Sequence, residues 1–400
     1  MHSTTHPIPF TLPTDVPCVV SLTTIAQHLE TLIDQRKRRG VRYPLVPMLL
    51  TALLAKLCGE QHLAGIAHWA RLRGPELAPL LGLSRTMMPH ASTWSRLLAD
   101  AVDATALEQA LGRAMRALAV DATVPERGSR VLVIDGKTLR GTIPLGATQG
   151  DHLLAAYLPH EGVVVFQLPV DGKTNEITVA PQVLARLDLQ GVVVTGDALH
   201  TQRALSAQIV EAGGDYLWTV KDNQPTLAED LAILFDPQVL AAGEGPVPTD
   251  FVVVEHHEKG HGRQETRRIT VSQLLADYSE WPYLQQAFRI ERWATDGLGR
   301  TRVEVGYGVT SLPPTAADAA RLLEIMRLEW GIENGLHYRR DVTLGEDACQ
   351  VRRGTAPQVL AALNNTIVGI AALAKQSNLP AMRRDAAFQV DRCLARRTAT

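Results

Sequence analysis

Two short apolar segments, each followed closely by an aspartate, restrict the fold of this chain more than any other feature. Val131–Ile134 leads directly to Asp135, and Gly191–Thr195 leads to Asp197 with one residue between them. Short runs of this kind, rich in valine and isoleucine, are typical of buried strands. Because ligands and metal ions gather at the ends of strands in α/β sheets, we predict a functional site where these two strands end.

The first third of the sequence predicts helices. Prolines mark an extended arm at 1–22, and leucines then recur at helical spacing to about residue 120. Ser92 or Thr93 can cap a long helix that runs through Leu111.

The rest of the chain alternates strands with helices. Between 131 and 220 the pattern is mixed α/β and includes a predicted helix at Ala180–Leu187, while alternation at 250–310 predicts further strands. Helical spacing returns from Ala316 to Ala374. The chain has 400 residues, 46% of them hydrophobic, which is enough for two or three domains with buried cores.

Composition excludes several classes of protein. Charged residues make up 20% of the chain, so wholesale disorder is not expected. The apolar stretch Leu45–Leu57 is too short to span a bilayer, and the first residues show no signal peptide, so we expect a cytoplasmic protein. The four cysteines form no CxxC pair, which argues against a zinc ribbon and fits a reducing compartment.

Charge is distributed unevenly along the chain. The formal net charge is −2, but residues 1–120 carry +4, residues 121–320 carry −10, and residues 321–400 carry +4. Basic ends could meet phosphates and an acidic centre could hold metal ions. Ordinary surface charge explains the same numbers, so charge alone does not decide between them.

Three acids form the candidate site. Asp135 and Asp197 end strands, and Glu333 lies in a helical stretch. Three hard oxygen donors suit Mg²⁺ or Mn²⁺, and a pair of such ions can drive in-line phosphoryl transfer. Taken alone, however, an aspartate at a strand end is more often a turn former or helix cap than a ligand.

Six segments in register resemble one family. They are Val131–Arg140, Lys173–Ile177, Val194–Gln202, Tyr216–Gln224, His261–Arg267 and Arg327–His337, the last continuing into Asp341–Asp347. Together they resemble the conserved blocks of insertion-sequence DDE transposases of the H-repeat-associated type. Residues from Asp34 to Arg96 resemble the helical domain that usually precedes this catalytic region.

The resemblance implies an α/β fold with an RNase H-like mixed sheet flanked by helices. It also implies that Asp135, Asp197 and Glu333 hold metal, with two Mg²⁺ or Mn²⁺ ions as cofactors. The acids are 62 and 136 residues apart, and the longer gap implies a mostly β insertion. The implied domains are an arm at 1–22, a helical DNA-end-binding domain at 23–120, a catalytic domain at 125–235 and 310–375, an insertion at 236–309 and a tail at 376–400.

The chain departs from the family pattern at three positions. Glu329 stands where many relatives have His or Arg, Arg340 stands where Lys is common, and Asp222 replaces a small residue. Asp341, Glu346 and Asp347 are also near Glu333 in sequence. We rank Glu333 first as the third ligand because its Trp-x-Ile-Glu-Asn context carries the resemblance.

Several polar residues are predicted to contact DNA, each with a structural alternative. For Lys137 and Arg140 the alternative is a solvated strand end. For Lys221 and Asn223 it is support of the second strand, and for the basic cluster near residue 36 it is a run of charge at the C-terminus of a helix. The helix beginning at Ser92 resembles a recognition helix, as any capped helix would. The predicted contacts are Lys137, Arg140, Lys221, Asn223, Arg263, Arg327, Arg340, Arg36, Lys37, Arg38, Arg39 and Arg96.

The sequence favours structural roles for the histidines near the acids. His200, three residues after Asp197, could contact metal or a nucleotide, but a satisfied structural histidine is favoured. His256, His257 and His261 suggest zinc by proximity, but we expect them in an exposed polar turn after a strand.

The predicted function is cleavage of the element's DNA ends and strand transfer to target double-stranded DNA. The enzyme is expected to act as a homodimer or higher oligomer in the cytoplasm, and to lie on the nucleoid when it is bound to DNA. A haloacid dehalogenase-type phosphatase needs an acid where Lys137 stands, and no strand is followed by GxGxxG as a nicotinamide enzyme requires. A non-catalytic repressor or domesticated transposase remains an alternative, as does a metal-dependent nuclease of the same fold.

Overall fold

Helices and strands cover most of the part of the chain that the computed structural model describes, namely residues 22–37, 39, 41–119, 126–171, 175–236, 250–260 and 263–388. For Gly260 and Arg263 only the backbone is described. Among the predictions above, the arm before Leu22, Arg38, Lys173, His261 and the tail after residue 388 lie outside these ranges.

The described residues form a mixed α/β structure. Its helices are α1 (Leu22–Leu29), α2 (Leu45–Leu57), α3 (Leu63–Leu72), α4 (Gly74–Leu80), α5 (Ala91–Asp100), α6 (Ala104–Ala119), α7 (Glu176–Leu184), α8 (Arg203–Glu211), α9 (Pro225–Leu234), α10 (Ala319–Glu329), α11 (Ala356–Leu373) and α12 (Leu379–Phe388). Its strands are β1 (Arg130–Thr138), β2 (His152–Leu158), β3 (Val163–Val170), β4 (Val192–Gly196), β5 (Asp215–Val220), β6 (Val252–Gly260), β7 (Arg263–Ser272), β8 (Gln286–Thr295) and β9 (Thr301–Thr310).

The chain divides into two compact units. The first unit comprises Met1–Ala122, Gly136–Lys173 and Ile332–Thr400, and the second comprises Thr123–Asp135 and Thr174–Gly331. Strand β1 crosses this division, because its first residues belong to the second unit and its last residues to the first.

The strand order identifies the sheet. It is β3-β2-β1-β4-β5-β9-β8-β7-β6, in which β1, β4 and β5 run parallel and β2 and β3 are antiparallel to each other. The order β3-β2-β1-β4-β5 is that of an RNase H-like sheet. The predicted α/β class and RNase H-like sheet are therefore confirmed.

The described residues of the predicted insertion, 250–309, are mostly β, as expected. Strands β6 to β9 are antiparallel neighbours, and β9 also pairs with β5, with Leu217 opposite Thr310. The four strands therefore extend the sheet of the second unit. Phe288 on β8 is fully buried, so this extension carries part of the core.

The core of the first unit is built around α11. This helix is long and apolar enough to cross a membrane by length and composition, but 83% of it is buried inside the protein. Helix α6 lies close to β3, since a Cβ added to Gly112 would stand 2.0 Å from the Val165 carbonyl oxygen. Only glycine permits this approach of helix to strand.

Two helix predictions are wrong in detail. The long helix expected from Ser92 or Thr93 is two helices, α5 and α6, because Asp103 accepts a hydrogen bond from the Ala106 amide at 2.9 Å and starts a new helix. The cap of α5 is His90, whose Nδ1 accepts from the Ser92 amide.

The helix predicted at Ala180–Leu187 begins earlier. It starts at Glu176 and ends at Leu184, since the side chain of Asn175 accepts a hydrogen bond from the Thr178 amide and caps it. The proline at position 181 lies inside this helix without ending it.

Candidate functional site

Asp135 and Asp197 lie next to each other in the second unit. Strands β1 and β4 are parallel and their pairing ends with Ile134 opposite Gly196, so each aspartate directly follows the last paired residue of its strand. Neighbouring strands are about 4.8 Å apart. Gly196 allows the close approach, because a Cβ there would stand 2.5 Å from the Ile134 carbonyl oxygen. Strand β4 ends at Gly196, directly before Asp197, as predicted, whereas β1 continues past Asp135 to Thr138.

Glu329 joins the two aspartates. It is the last residue of α10, and its Oε2 accepts a hydrogen bond from the Thr195 hydroxyl at 3.5 Å. Burial, together with the negative charges of Asp197 and Asp135, raises the pKa of Glu329 to about 8. The second unit therefore holds three carboxylic acids around the ends of β1 and β4.

Lys221 approaches this acidic group. Lys221 Nζ lies 3.5 Å from Asp197 Oδ1, and both side chains are about two thirds exposed, at 66% and 64%. Such an exposed pair contributes little to stability because water screens it. Its position leaves an ammonium group in solvent beside the acids, where an anionic substrate could be contacted.

The loop after Asp197 is held by hydrogen bonds from the next strand region. The carboxylate of Asp197 itself accepts from the Ala198 amide, Asn223 Nδ2 donates to the Ala198 carbonyl at 2.7 Å, and Gln224 Nε2 donates to the Thr201 carbonyl at 2.9 Å. The amide of Asn223 thus supports the loop, the structural alternative considered for this residue.

His200 is fully buried in the same loop. Its Nε2 lies 3.2 Å from Glu176 Oε2. Neither ring nitrogen makes a hydrogen bond to the described residues, so the role expected for this histidine stays a prediction.

Glu333 belongs to the first unit. It begins a π-helical turn, Glu333–His337, and its side chain is 63% exposed. His337 Nδ1 lies 3.8 Å from Glu333 Oε2. Burial and the positive charges of Arg340 and Lys137 lower the pKa of His337 to about 3, so the imidazole is neutral at neutral pH. π-Helical turns are rare and are frequently found at functional sites.

Two predicted DNA contacts are wrong. Arg340 is fully buried, and its Nε donates to Glu346 Oε2 at 2.7 Å. Lys137 is also buried, with Nζ 2.6 Å from Asp341 Oδ1 and 3.9 Å from Asp347 Oδ1. Neither cation is presented to a phosphate, because each is enclosed with carboxylate partners.

The ion pairs of Lys137 and Arg340 account for the other acids that lie near Glu333 in the sequence. Asp341 and Asp347 are partners of Lys137, and Glu346 is the partner of Arg340. Burial alone would raise the pKa of Glu346, but Arg340 and the amide of Asn364 hold it below its usual value. These three acids therefore have structural partners within the first unit.

The other predicted DNA contacts stay predictions. Arg140 is 79% exposed and lies 3.7 Å from Asp347, Arg327 is paired with Glu258, and Arg36 is paired with Asp34 at 2.6 Å. Exposed side chains are found at Lys37, Arg39, Arg96 and Asn223, and for Arg263 only the backbone is described.

The turn predicted for His256 and His257 is wrong. Both residues lie within β6, because the hairpin with β7 continues to the pair Gly260 and Arg263. His257 Nδ1 is 2.9 Å from the Thr266 hydroxyl on β7. The pairing of β6 with β7 thus carries the strand past both histidines.

Sequence reasoning missed Glu329 as a member of the acidic group. It noted the residue only as a departure from the family pattern. The available signal was its position at the end of a predicted helix, one turn before Glu333, but nothing local places that helix against β4.

Two family models match this chain. The family model described as "Transposase DDE domain" matches residues 126–368, and a second, described as "DDE_Tnp_1-associated", matches residues 26–115.

Several curated relatives are similar in sequence. The H repeat-associated protein YhhI of Escherichia coli, named as a candidate transposase, is 32% identical over 248 residues. YbfL, from the same species, is also 32% identical over 248 residues. Each alignment covers 60% of this chain and 63% of the relative, which is less than two thirds of that relative's length. YncI of Escherichia coli O157:H7, also named as a candidate transposase, is 27% identical over 88% of both chains.

One solved structure has a weaker likeness. The piggyBac transposase synaptic complex with hairpin DNA superposes with a TM-score of 0.43 and 11% identity, covering 92% of this chain and 75% of that chain. A likeness of this degree carries no argument about function.

Proposed function

This chain belongs to the Transposase DDE domain family, and from that premise we propose that it cuts the DNA ends of its own element and joins them to target DNA. The resemblance to H-repeat-associated transposases is confirmed by YhhI. The single observation that carries the proposal is that Asp135 and Asp197 directly follow the last paired residues of two neighbouring parallel strands in a chain of this family.

The family implies the use of a divalent metal. We propose that Asp135, Asp197 and Glu333 hold two Mg²⁺ or Mn²⁺ ions, since all three offer the hard oxygen donors that these ions prefer. Asp197 fits this role because its side chain is 64% exposed and its ion pair with Lys221 is exposed to solvent and therefore weak. When bound, such ions activate an attacking oxygen and stabilise the leaving oxygen.

The chain's own residues would position the DNA. The ammonium of Lys221 stands in solvent beside Asp197, where a phosphate next to the scissile bond can pair with it. Arg140, 79% exposed, offers a second phosphate contact. The names of YhhI and YncI describe transposases, which supports double-stranded DNA as the substrate. We also propose that the chain acts as a homodimer or higher oligomer, on the nucleoid.

Two other functions share these features. A nuclease of the same fold would use the same acids but let water alone attack, and a repressor would bind DNA without cutting. We favour the transposase because the family and its relatives are transposases and all three acids are present.

Alanine variants of the three acids test this proposal. Asp135→Ala, Asp197→Ala and Glu333→Ala should each lose end cleavage by at least about 10³-fold while still binding DNA, because each removes a group needed only for the chemical step. The measurement is Mn²⁺-dependent nicking of a labelled DNA end, alongside DNA binding in a gel-shift assay.

Glu211→Ala, at the exposed end of α8, is the matched control and should cleave like wild type. If any of the three variants retained activity within about tenfold of wild type, that residue would have to be removed from the site.

A further inference from the structure

We propose that His337 is a nitrogen ligand of the metal ion held by Glu333. The inference deepens the proposed function and rests on it, because it adds an imidazole to a metal site made of acids. A nitrogen ligand also changes which ions such a site prefers. Imidazole suits zinc, iron and nickel, whereas carboxylate and water suit magnesium and manganese.

The two side chains start from one helical turn. Glu333–His337 is a π-helical turn, and residues four positions apart on a helix lie on the same face. His337 Nδ1 lies 3.8 Å from Glu333 Oε2, which is within the spacing of ligand atoms that can share an ion. This distance is too long for a hydrogen bond. Donor atoms bound about 2 Å from one ion are about 3 Å apart, so a shift of less than about 1 Å brings both atoms to the metal.

The imidazole is in the form that binds metals. A ligand nitrogen needs a lone pair, which only the neutral ring offers. His337 is 6% exposed, and burial with the positive charges of Arg340 and Lys137 lowers its pKa to about 3. The ring is therefore neutral at neutral pH, so its approach to Glu333 is not an ion pair.

The positive neighbours of the ring are balanced by carboxylates. Lys137 Nζ lies 2.6 Å from Asp341 Oδ1, and Arg340 Nε donates to Glu346 Oε2 at 2.7 Å. All these residues belong to the first unit, so each cation has its partner in the same body as the ring. The imidazole therefore stays in place while the side chain of Glu333, which is 63% exposed, moves to meet a metal.

Pulsed electron paramagnetic resonance of bound Mn²⁺ tests the proposal directly. The probe is Mn²⁺ alone, added to the full chain without DNA. A histidine nitrogen bound to Mn²⁺ modulates the electron spin echo, and the modulation changes when the histidines are labelled with ¹⁵N. We expect this modulation in wild type and its loss in His337→Gln, because glutamine binds metals through its amide oxygen. Labelled wild type alone reports the nitrogen ligand, so the test does not depend on how well the variant folds.

Metal affinity gives a second readout, taken from the resonance signal of free Mn²⁺ during a titration. Loss of a group that only supports a ligand typically costs about 10- to 100-fold in metal affinity, so His337→Gln should weaken Mn²⁺ binding by at least about tenfold. His160→Gln is the matched control, since His160 is an exposed histidine of the same unit. It should bind Mn²⁺ as wild type does.

Glu333→Gln separates the two proposals. If this variant lost Mn²⁺ binding but Mn²⁺ bound to wild type showed no histidine nitrogen, His337 would not be a ligand and the proposed function would stand. Nitrogen modulation that persisted in His337→Gln would also overturn the inference, because it would come from another histidine. If wild type and Glu333→Gln bound Mn²⁺ equally, or if neither bound it, Glu333 would not hold the metal and both proposals would fail.

Discussion

At the scale of single residues, environment decides what identical side chains do. Lys137 lies on β1 and Lys221 directly follows β5, yet Lys137 is buried with Asp341 while Lys221 is 66% exposed beside Asp197. The sequence predicted the acids because their positions follow from strand ends and family blocks. It could not separate the two lysines, because their partners are distant along the chain.

Glu108 gives a prediction about pH. It is buried on α6, and burial raises its pKa from 4.5 to about 8, although the amide of Gln167 donates to it. The folded state therefore holds a proton that the unfolded state releases above pH 4.5. The corresponding stability is complete below pH 4.5 and is lost as the pH rises towards 8.

Glu108→Gln should remove this dependence. The free energy of unfolding is measured by urea denaturation for both proteins. The difference, variant minus wild type, should increase by up to a few kcal/mol between pH 5 and 8, at about 1.4 kcal/mol for each pKa unit. Other titrating groups cancel in the comparison, because both proteins share them. A constant difference across this range would show that Glu108 does not hold a proton in the folded state.

At the scale of elements, a buried ion pair holds the segment that follows Glu333 against the core helix of the first unit. Two π-helical turns, Glu333–His337 and Arg339–Thr343, follow α10. Arg340, in the second turn, pairs with Glu346, and Asn364 on α11 donates to the same carboxylate at 2.8 Å. This pair fixes the second π-helical turn and the loop after it against the core helix of the first unit.

Arg340→Met should destabilise the protein strongly. The variant leaves the carboxylate of Glu346 buried without its cation, which typically costs about 3–5 kcal/mol. Adding Glu346→Gln should recover part of this loss, because the uncompensated charge is gone. The measurement is the free energy of unfolding in urea.

Arg353→Met is the matched control for the buried pair. Arg353 and Asp100 form an exposed pair in the same unit, with side chains 54% and 51% exposed. Its loss should cost less than about 1 kcal/mol. An Arg340→Met variant as stable as this control would contradict the anchoring role.

Elements were predictable where a local pattern specifies them. The apolar runs of β1 and β4 and the alternation at 250–310 were sufficient to predict strands. The break between α5 and α6 was not, because the leucine spacing continues through it and the new start depends on the Asp103 side chain. The hairpin of β6 and β7 was underestimated because polar residues such as His256 lie in paired strands.

At the scale of the whole molecule, the second unit joins distant parts of the sequence into one sheet. Asp135 and Asp197 are neighbours because β1 and β4 pair in parallel, and Glu329 reaches them after the four strands β6 to β9. The family resemblance predicted the order of these parts. It did not predict that Glu329 would lie near the aspartates, because its position depends on how α10 packs.

The central claim is that this chain cuts and joins DNA with metal ions held at Asp197 and its neighbours. The most direct test is an excision and joining assay on a plasmid that carries the DNA flanking the gene, with Mg²⁺ or Mn²⁺, comparing wild type with Asp197→Ala. We predict metal-dependent cleavage and joining by wild type and neither by the variant. Cleavage without joining would contradict strand transfer and favour a nuclease, and DNA binding without cleavage by either protein would contradict catalysis altogether.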